Sequence, residues 1–288
     1  MEWYSSSRME DIQNQQDLRD IPIDRVGIKR LSYPITVHDR SNHIQQTVAE
    51  IDMTVDLPRH FRGTHMSRFV EILDAHRGEI TMTTMADILR EVRWKLAAER
   101  AEMSASFPYF VEKVAPVSEA RSLMRYDCRF LAKFDGSDDF VLTVTVPVTT
   151  LCPCSKAISR ESAHNQRSMV TVSARFASFL WIEDLIRCVE ESASAEVYTL
   201  LKRSDEKYLT EHAYEHPRFA EDLVREVAVR LDAIPAITWY TVETENFESI
   251  HAHSAYAFLK RERTGSVADA GPISVSKKAS RKPPTRRK

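Results

Sequence analysis

"VGIKRLSYPITVHDRSNHIQQTVAEIDMTVDL" (residues 26–57) alternates apolar and polar side chains on both sides of a short polar break. A period of two marks half-buried antiparallel strands, and Ser41-Asn42-His43 supplies the turn between them. Two helical stretches follow. Met66, Phe69, Val70 and Leu73 share one helical face, and Met85, Ile88, Leu89, Val92 and Leu96 share another. "YFVEKVAPVSE" (109–119) and "RSLMRYDCRFLAKF" (121–134) return to strand character, and "DGSDD" (135–139) is a turn. The order is ββααββ.

The second half repeats that order without any repeat of residues. "FVLTVTVPVTTL" (140–151) and "RSMVTVSARF" (167–176) read as strands. Trp181, Leu185, Ile186 and Val189 mark one helix, and Phe219, Leu223, Val227 and Leu231 mark a longer one. "AITWYTVETENF" (236–247) and "IHAHSAYAFLKRE" (250–262) are strands again. The expected organisation is α+β: a polar arm over 1–20, a first ββααββ unit over 21–136, a second over 137–263, and a basic tail over 264–288 that reads as disordered.

Composition narrows the function. A chain of 288 residues with 43% apolar content can bury a sizeable core. No apolar run approaches the ~18 residues of a membrane span, and "MEWYSSSRMEDIQNQQDLRD" at the N-terminus is polar throughout. A cytoplasmic protein is therefore expected, with its four cysteines reduced. Residues 277–288 carry seven Lys/Arg and no acid, so the formal charge of −2 becomes −9 once those seven cations are set aside. An acidic body makes an open nucleic-acid groove an unsuitable reading. "GTHMSR" lacks P-loop spacing, and six glycines in the whole chain provide no G-x-G-x-x-G fingerprint, so no organic cofactor is expected.

The chemistry gathers around "TTLCPCSKAISRESAHNQRS" (149–168). Cys152 and Cys154 follow an apolar strand; by spacing alone they are a redox pair, a metal site or two core cysteines. His164 follows, Glu206 sits in the charge run "KRSDEK", and Glu248 and His251 lie three apart at an expected bend before the last strand. Thiolate, imidazole and carboxylate together suit a Zn-like ion with a position open to water. Each also has an ordinary reading: His164 as a loop hydrogen-bonder, Glu206 as solvated surface, Glu248 and His251 as a polar turn. Cys128 and Cys188 lie inside strand and helix patterns, where a cysteine is a small hydrophobe.

Four blocks sharpen this reading. "TVDLPRHFRGTHMSRFVE" (54–71), "PVTTLCPCSKAISRESAHNQRS" (147–168), "EVYTLLKRSDEKYLTEHAYEHPRFAEDLVREVA" (196–228) and "ENFESIHAH" (245–253) resemble the signature blocks of the type IB GTP cyclohydrolases, in the family's order and over about residues 10 to 260. The resemblance implies a tunnelling fold of two tandem ββααββ units per chain, with helices on one side of the sheets. It also implies a homotetramer whose sheets join into barrels, with active sites between subunits. The implied reaction converts GTP and water to 7,8-dihydroneopterin triphosphate and formate, feeding tetrahydrofolate synthesis and 7-deazaguanine tRNA modification.

By the same resemblance Cys152, His164 and Glu206 belong to the metal site, Cys154 lies beside purine C8, and Glu248 and His251 are the acid–base pair, with ligation by His251 left open. Glu221 is the expected guanine anchor, ahead of its neighbour Asp222. One divalent ion, Zn, Mn or Fe(II), is expected per site, since thiolate and imidazole favour Zn while carboxylate admits the others. His65, Arg68, Lys202 and Arg203 are the cations expected at the triphosphate. The alternatives are another tunnelling-fold enzyme, such as a nitrile reductase or the archaeal cyclohydrolase with a cyclic phosphate product, or a non-catalytic purine- or metal-binding protein.

Overall fold

Residues 26–57 form the expected hairpin, with β1 (Ile23–Asp39) running antiparallel to β2 (His43–Leu57) and Asp39 facing His43 across the turn. The structure is a computed structural model that describes residues 11–78 and 80–263; the expected tail 264–288 and the first half of the arm lie outside the described residues. After β2 come α1 (Met66–Ala75), α2 (Met85–Leu96), β3 (Ala101–Val114) and β4 (Arg121–Phe134). The second half contributes β5 (Asp138–Leu151), α3 (Pro153–Ile158), β6 (Asn165–Phe176), α4 (Ile182–Glu190) and β7 (Ala195–Glu196). It ends with α5 (Arg203–Glu215), α6 (Ala220–Asp232), β8 (Ile237–Asn246) and β9 (Ala255–Glu262).

The described strands make one antiparallel sheet of nine, in the order β1-β2-β3-β4-β5-β6-β8-β9, with β7 paired to β5. The expected break at 135–139 is a hairpin turn within this sheet, because Phe134 pairs directly with Asp138. One face packs under the helices. Its inward residues run from Ile35 and Val37 through Ile51, Met53, Met103, Phe107, Phe130, Val144, Val146, Val172 and Val242, all buried in one core. The opposite face is polar. Lys29 meets Asp52, Arg25 and Lys133 share Glu102, and Thr143 and Thr145 bond to Ser173 and Thr171.

Several expectations need correction. On α1 the buried residues are Phe69, Ile72 and Leu73, while Met66 and Val70 are exposed, so the core stripe is rotated from the one read by spacing. Trp181 and Phe219 are not inside their helices but precede them as N-caps. Strand β3 stops at Val114, and the last strand starts only at Ala255. The second half is not a bare ββααββ: α3, β7 and α5 are inserted into it. The short α3 is set by Cys152 as cap and Pro153 in its first turn, where a missing N–H is harmless.

Two buried polar clusters fasten the halves together. Lys113 of β3, 8% exposed, lies 2.7 Å from Glu190 of α4 and 2.6 Å from Glu196 of β7, and Tyr126 of β4 donates to Glu190 at 2.7 Å. Burial pushes the Glu190 carboxyl up, and Lys113 opposes that shift. The second cluster centres on Asp205 of α5, which is fully buried. It accepts from the Val117 and Ser118 N–H groups at 2.9 and 2.8 Å, the Ser118 hydroxyl at 2.6 Å and the Lys202 N–H at 2.8 Å. The turn between β3 and β4 is thereby tied to the start of α5.

Burial alone would raise the Asp205 carboxyl, but the bonds from Ser118, Lys202 and Val117 outweigh it and hold it well below the usual carboxylate range. A carboxyl depressed in the folded state stabilises above its unfolded pKa, about 4, and loses that contribution as pH falls toward the folded value. We expect the melting temperature of the protein to drop as pH is lowered through that window. In Asp205→Asn the protein should melt lower at neutral pH and show a shallower acid slope; an unchanged slope would remove Asp205 as its source.

Candidate active site

The site forms where the inward face of the sheet changes from apolar to polar. Along β5 the buried sequence Val144, Val146, Val148 ends in Thr150. Along β6, Val172 and Val170 give way to Ser168 and Gln166, and along β8 Val242 gives way to Thr244 and Asn246. Buried polar groups are tolerated when hydrogen-bonded, and these are. Thr150 and Ser168 share a bond at 2.8 Å, Gln166 Nε2 donates to Thr150 Oγ1 at 2.9 Å, and Thr244 donates to Asn246 at 3.0 Å.

Cys152 and His164 are twelve residues apart in sequence and adjacent in the ladder. Leu151 and Asn165 form the last β5–β6 pair, and the Cys152 N–H donates to the His164 carbonyl just beyond it, at 3.0 Å. Cys152 then turns the chain into α3, its Sγ accepting the Ser155 N–H at 3.4 Å. Ser155 stitches the loop shut: its hydroxyl donates to the Cys152 carbonyl and accepts the His164 N–H, both at 3.2 Å. The His164 ring is held from below by Gln166, whose Oε1 lies 3.0 Å from Nδ1.

The loop between β8 and β9 closes over this pair. Phe247 N–H donates to the Arg167 carbonyl at 3.0 Å, which pins the loop to β6. Glu248 follows, with Oε2 3.6 Å from His164 Nδ1 and the two side chains only 13% and 12% exposed. The His251 ring stands edge-on to that of His164 with centroids 6.4 Å apart, and His253 stacks on His251 at 5.2 Å. The bend expected before the last strand is there, and it delivers Glu248 and His251 to the Cys152–His164 hairpin.

Other expected residues are placed elsewhere. Cys154 is exposed on the first turn of α3. Glu206 lies on the exposed side of α5, and no contact joins it to Cys152 or His164. Among the described residues no three His, Cys, Asp or Glu side chains are grouped to hold a metal. Glu221 is exposed on the first turn of α6, whereas Asp222 is engaged, accepting the Phe219 N–H at 3.1 Å. Lys202 and Arg203 are exposed at the start of α5. His65 stands at the N-cap position of α1 without a side-chain capping bond, its Nε2 3.2 Å from Asp11, and Arg68 donates to the Lys95 carbonyl at the end of α2, at 3.1 Å. Ser155, Gln166 and Thr150 carry the geometry of the site yet were not singled out by sequence. The signal for the last two is their parity: each continues a buried alternation.

This geometry can be set beside known proteins. The family model described as type I GTP cyclohydrolase FolE2 matches residues 9–257. GTP cyclohydrolase FolE2 of Geobacter metallireducens is 57% identical over 255 residues, covering 88% of this chain and 98% of its own length. GTP cyclohydrolase FolE2 of Syntrophotalea carbinolica is 57% identical over 252 residues, covering 88% and 95%. Among solved structures, uricase from Arthrobacter globiformis aligns with a TM-score of 0.48 and 8% identity over 86% of this chain and 96% of that one, a likeness too distant to bear on function. With a family match that runs from before β1 through the Cys152–His164 hairpin and the Glu248–His251 loop into β9, the chain belongs to the type I GTP cyclohydrolase FolE2 family.

Proposed function

We propose that the protein hydrolyses GTP to 7,8-dihydroneopterin triphosphate and formate, the entry step to tetrahydrofolate, in the cytoplasm. Family membership supports the reaction, and the convergence of Cys152, His164, Glu248 and His251 at one end of the sheet carries the assignment of its centre. No helix among the described residues is long and apolar enough to cross a membrane.

The donor set fits one divalent ion in its chemistry, as a soft thiolate from Cys152 and an imidazole from His164. Such an ion supplies the Lewis acidity that makes water a nucleophile near neutral pH. Among the described residues of one chain no group of three donors is formed. We place the third, Glu206, on a second copy, in a homotetramer whose site lies between subunits. Among the described residues β1 and β9 are the two edges of the sheet, which suits that assembly, because an unpaired edge seeks a partner strand. Exposed Tyr256 and Phe258 on β9 suit it as well.

The chain's own groups then divide the work. Glu248, half-enclosed beside His164, accepts the proton of the attacking water. His251, on the exposed loop, carries a proton to and from the imidazole ring of guanine, the general acid–base work that histidine side chains do most often. Glu221 accepts from guanine N1–H and the exocyclic amine, a pair of donors adenine does not present. Lys202 and Arg203 are free for the triphosphate, whereas Arg68 is already holding the end of α2. Cys154 flanks purine C8.

Metal-stripped protein should release no formate from GTP, and Zn, Mn or Fe(II) should restore formate together with a dihydropterin; absence of formate with every metal would overturn the reading. Cys152→Ala should lose both bound metal and formate release, and a variant with full turnover would remove Cys152 from the ligand set. Glu221→Gln should raise KM for GTP by about 10- to 100-fold, the loss of a charge-assisted hydrogen bond of about 1.5–3 kcal/mol. An unchanged KM would place the guanine anchor elsewhere.

A further inference from the structure

We infer that Gln166 is a positioning residue that fixes which nitrogen of His164 carries the proton, through a buried relay from Ser168 and Thr150. This rests on the metal reading above and adds to it a residue that touches neither metal nor substrate. Ser168 and Thr150 are fully buried and share a bond at 2.8 Å. Gln166 Nε2 donates to Thr150 Oγ1 at 2.9 Å, which turns the amide oxygen the other way, toward His164 Nδ1 at 3.0 Å. An amide oxygen can only accept, so Nδ1 carries the hydrogen. The Glu248 carboxylate, 3.6 Å from the same nitrogen, reinforces that choice because it too can only accept. In the neutral ring the lone pair is therefore on Nε2, the nitrogen that would be open to a metal.

Position matters as much as proton. Gln166 is 7% exposed and sits in the regular part of β6, two residues from His164, which lies just outside the strand. The ring thus takes its orientation from the sheet and not from the loop that carries it. A partner of this kind on a ligating histidine typically contributes 10- to 100-fold in metal affinity.

The test is Zn²⁺ affinity of the full chain, measured by competition against a chromophoric chelator. Gln166→Met removes the acceptor at similar volume and should weaken binding about 10- to 100-fold. Gln166→Glu keeps an acceptor at Nδ1 and should bind at least as tightly as wild type. Thr150→Val keeps the shape of the side chain but frees the Gln166 amide to turn, and should weaken Zn²⁺ in the folded protein, with a lower metal-free melting temperature from the buried groups left unpaired. It serves in place of Gln166→Met should that variant not fold. Wild type that binds Zn²⁺ alongside a Gln166→Met or Thr150→Val variant of equal affinity would overturn the inference and leave the metal site standing. So would Gln166→Glu binding as weakly as Gln166→Met. Wild type that takes up no Zn²⁺, Mn²⁺ or Fe²⁺ would remove the inference together with the metal reading.

Discussion

The register of β5 against β6 is the constraint on which the site depends. Their ladder runs from Leu142–Ala174 to Leu151–Asn165, and the Cys152 N–H to His164 carbonyl bond is its next step. A slip of one residue would turn every side chain to the other face of the sheet. Were β6 the strand to slip, Val170 and Val172 would leave the core; were it β5, Val144, Val146 and Val148 would. Burying each such side chain is worth about 1.5–3 kcal/mol, so the slipped register is excluded by the core. The alternation that makes the fold thus also brings Cys152 and His164 side by side across the eleven residues between them.

The same argument explains the polar end of the sheet. Thr150, Gln166, Ser168, Thr244 and Asn246 occupy inward positions that valine or isoleucine would fill at lower desolvation cost. Their bonds to one another limit that cost without reversing it. What they add is position, since each hydroxyl and amide in the chain is held at a fixed distance from its partner. Lys113, Glu190 and Asp205 do comparable work further out, setting α4, β7 and the start of α5 against the β3–β4 hairpin. These contacts orient elements whose apolar packing would tolerate small shifts.

Much of this was legible in the sequence, for reasons that differ by residue. The strands were readable because alternation survives any detail of packing. Helix α5 was not, because its exposed surface is a run of charges and its burial is confined to Asp205 and Ala213. Helix α3 has six residues, too short to show a period. The stripe on α1 was misplaced because Met66 and Val70 are apolar yet face outward, and composition does not record direction. Cys152, His164, Glu248 and His251 were readable only through the family blocks; each had an ordinary explanation alone. Gln166 and Thr150 were open to physical reading without any resemblance, since counting by twos along β6 and β5 places both in the core.

The neighbouring acids show how far such reading can go. Asp205-Glu206 and Glu221-Asp222 each pair an aspartate with a glutamate at the start of a helix. In both, the aspartate stands third in the helix, and its carboxylate accepts the N–H of the residue before the first turn: Lys202 for Asp205 and Phe219 for Asp222. That position is where an acid reaches back to an unsatisfied backbone donor. The aspartates are committed to helix starts, one of them fully buried. The glutamates beside them, Glu206 and Glu221, are exposed and keep both oxygens available. Helix geometry therefore separates a committed from an uncommitted acid within each pair, and it leaves Glu206 and Glu221 open to the metal and guanine roles proposed for them.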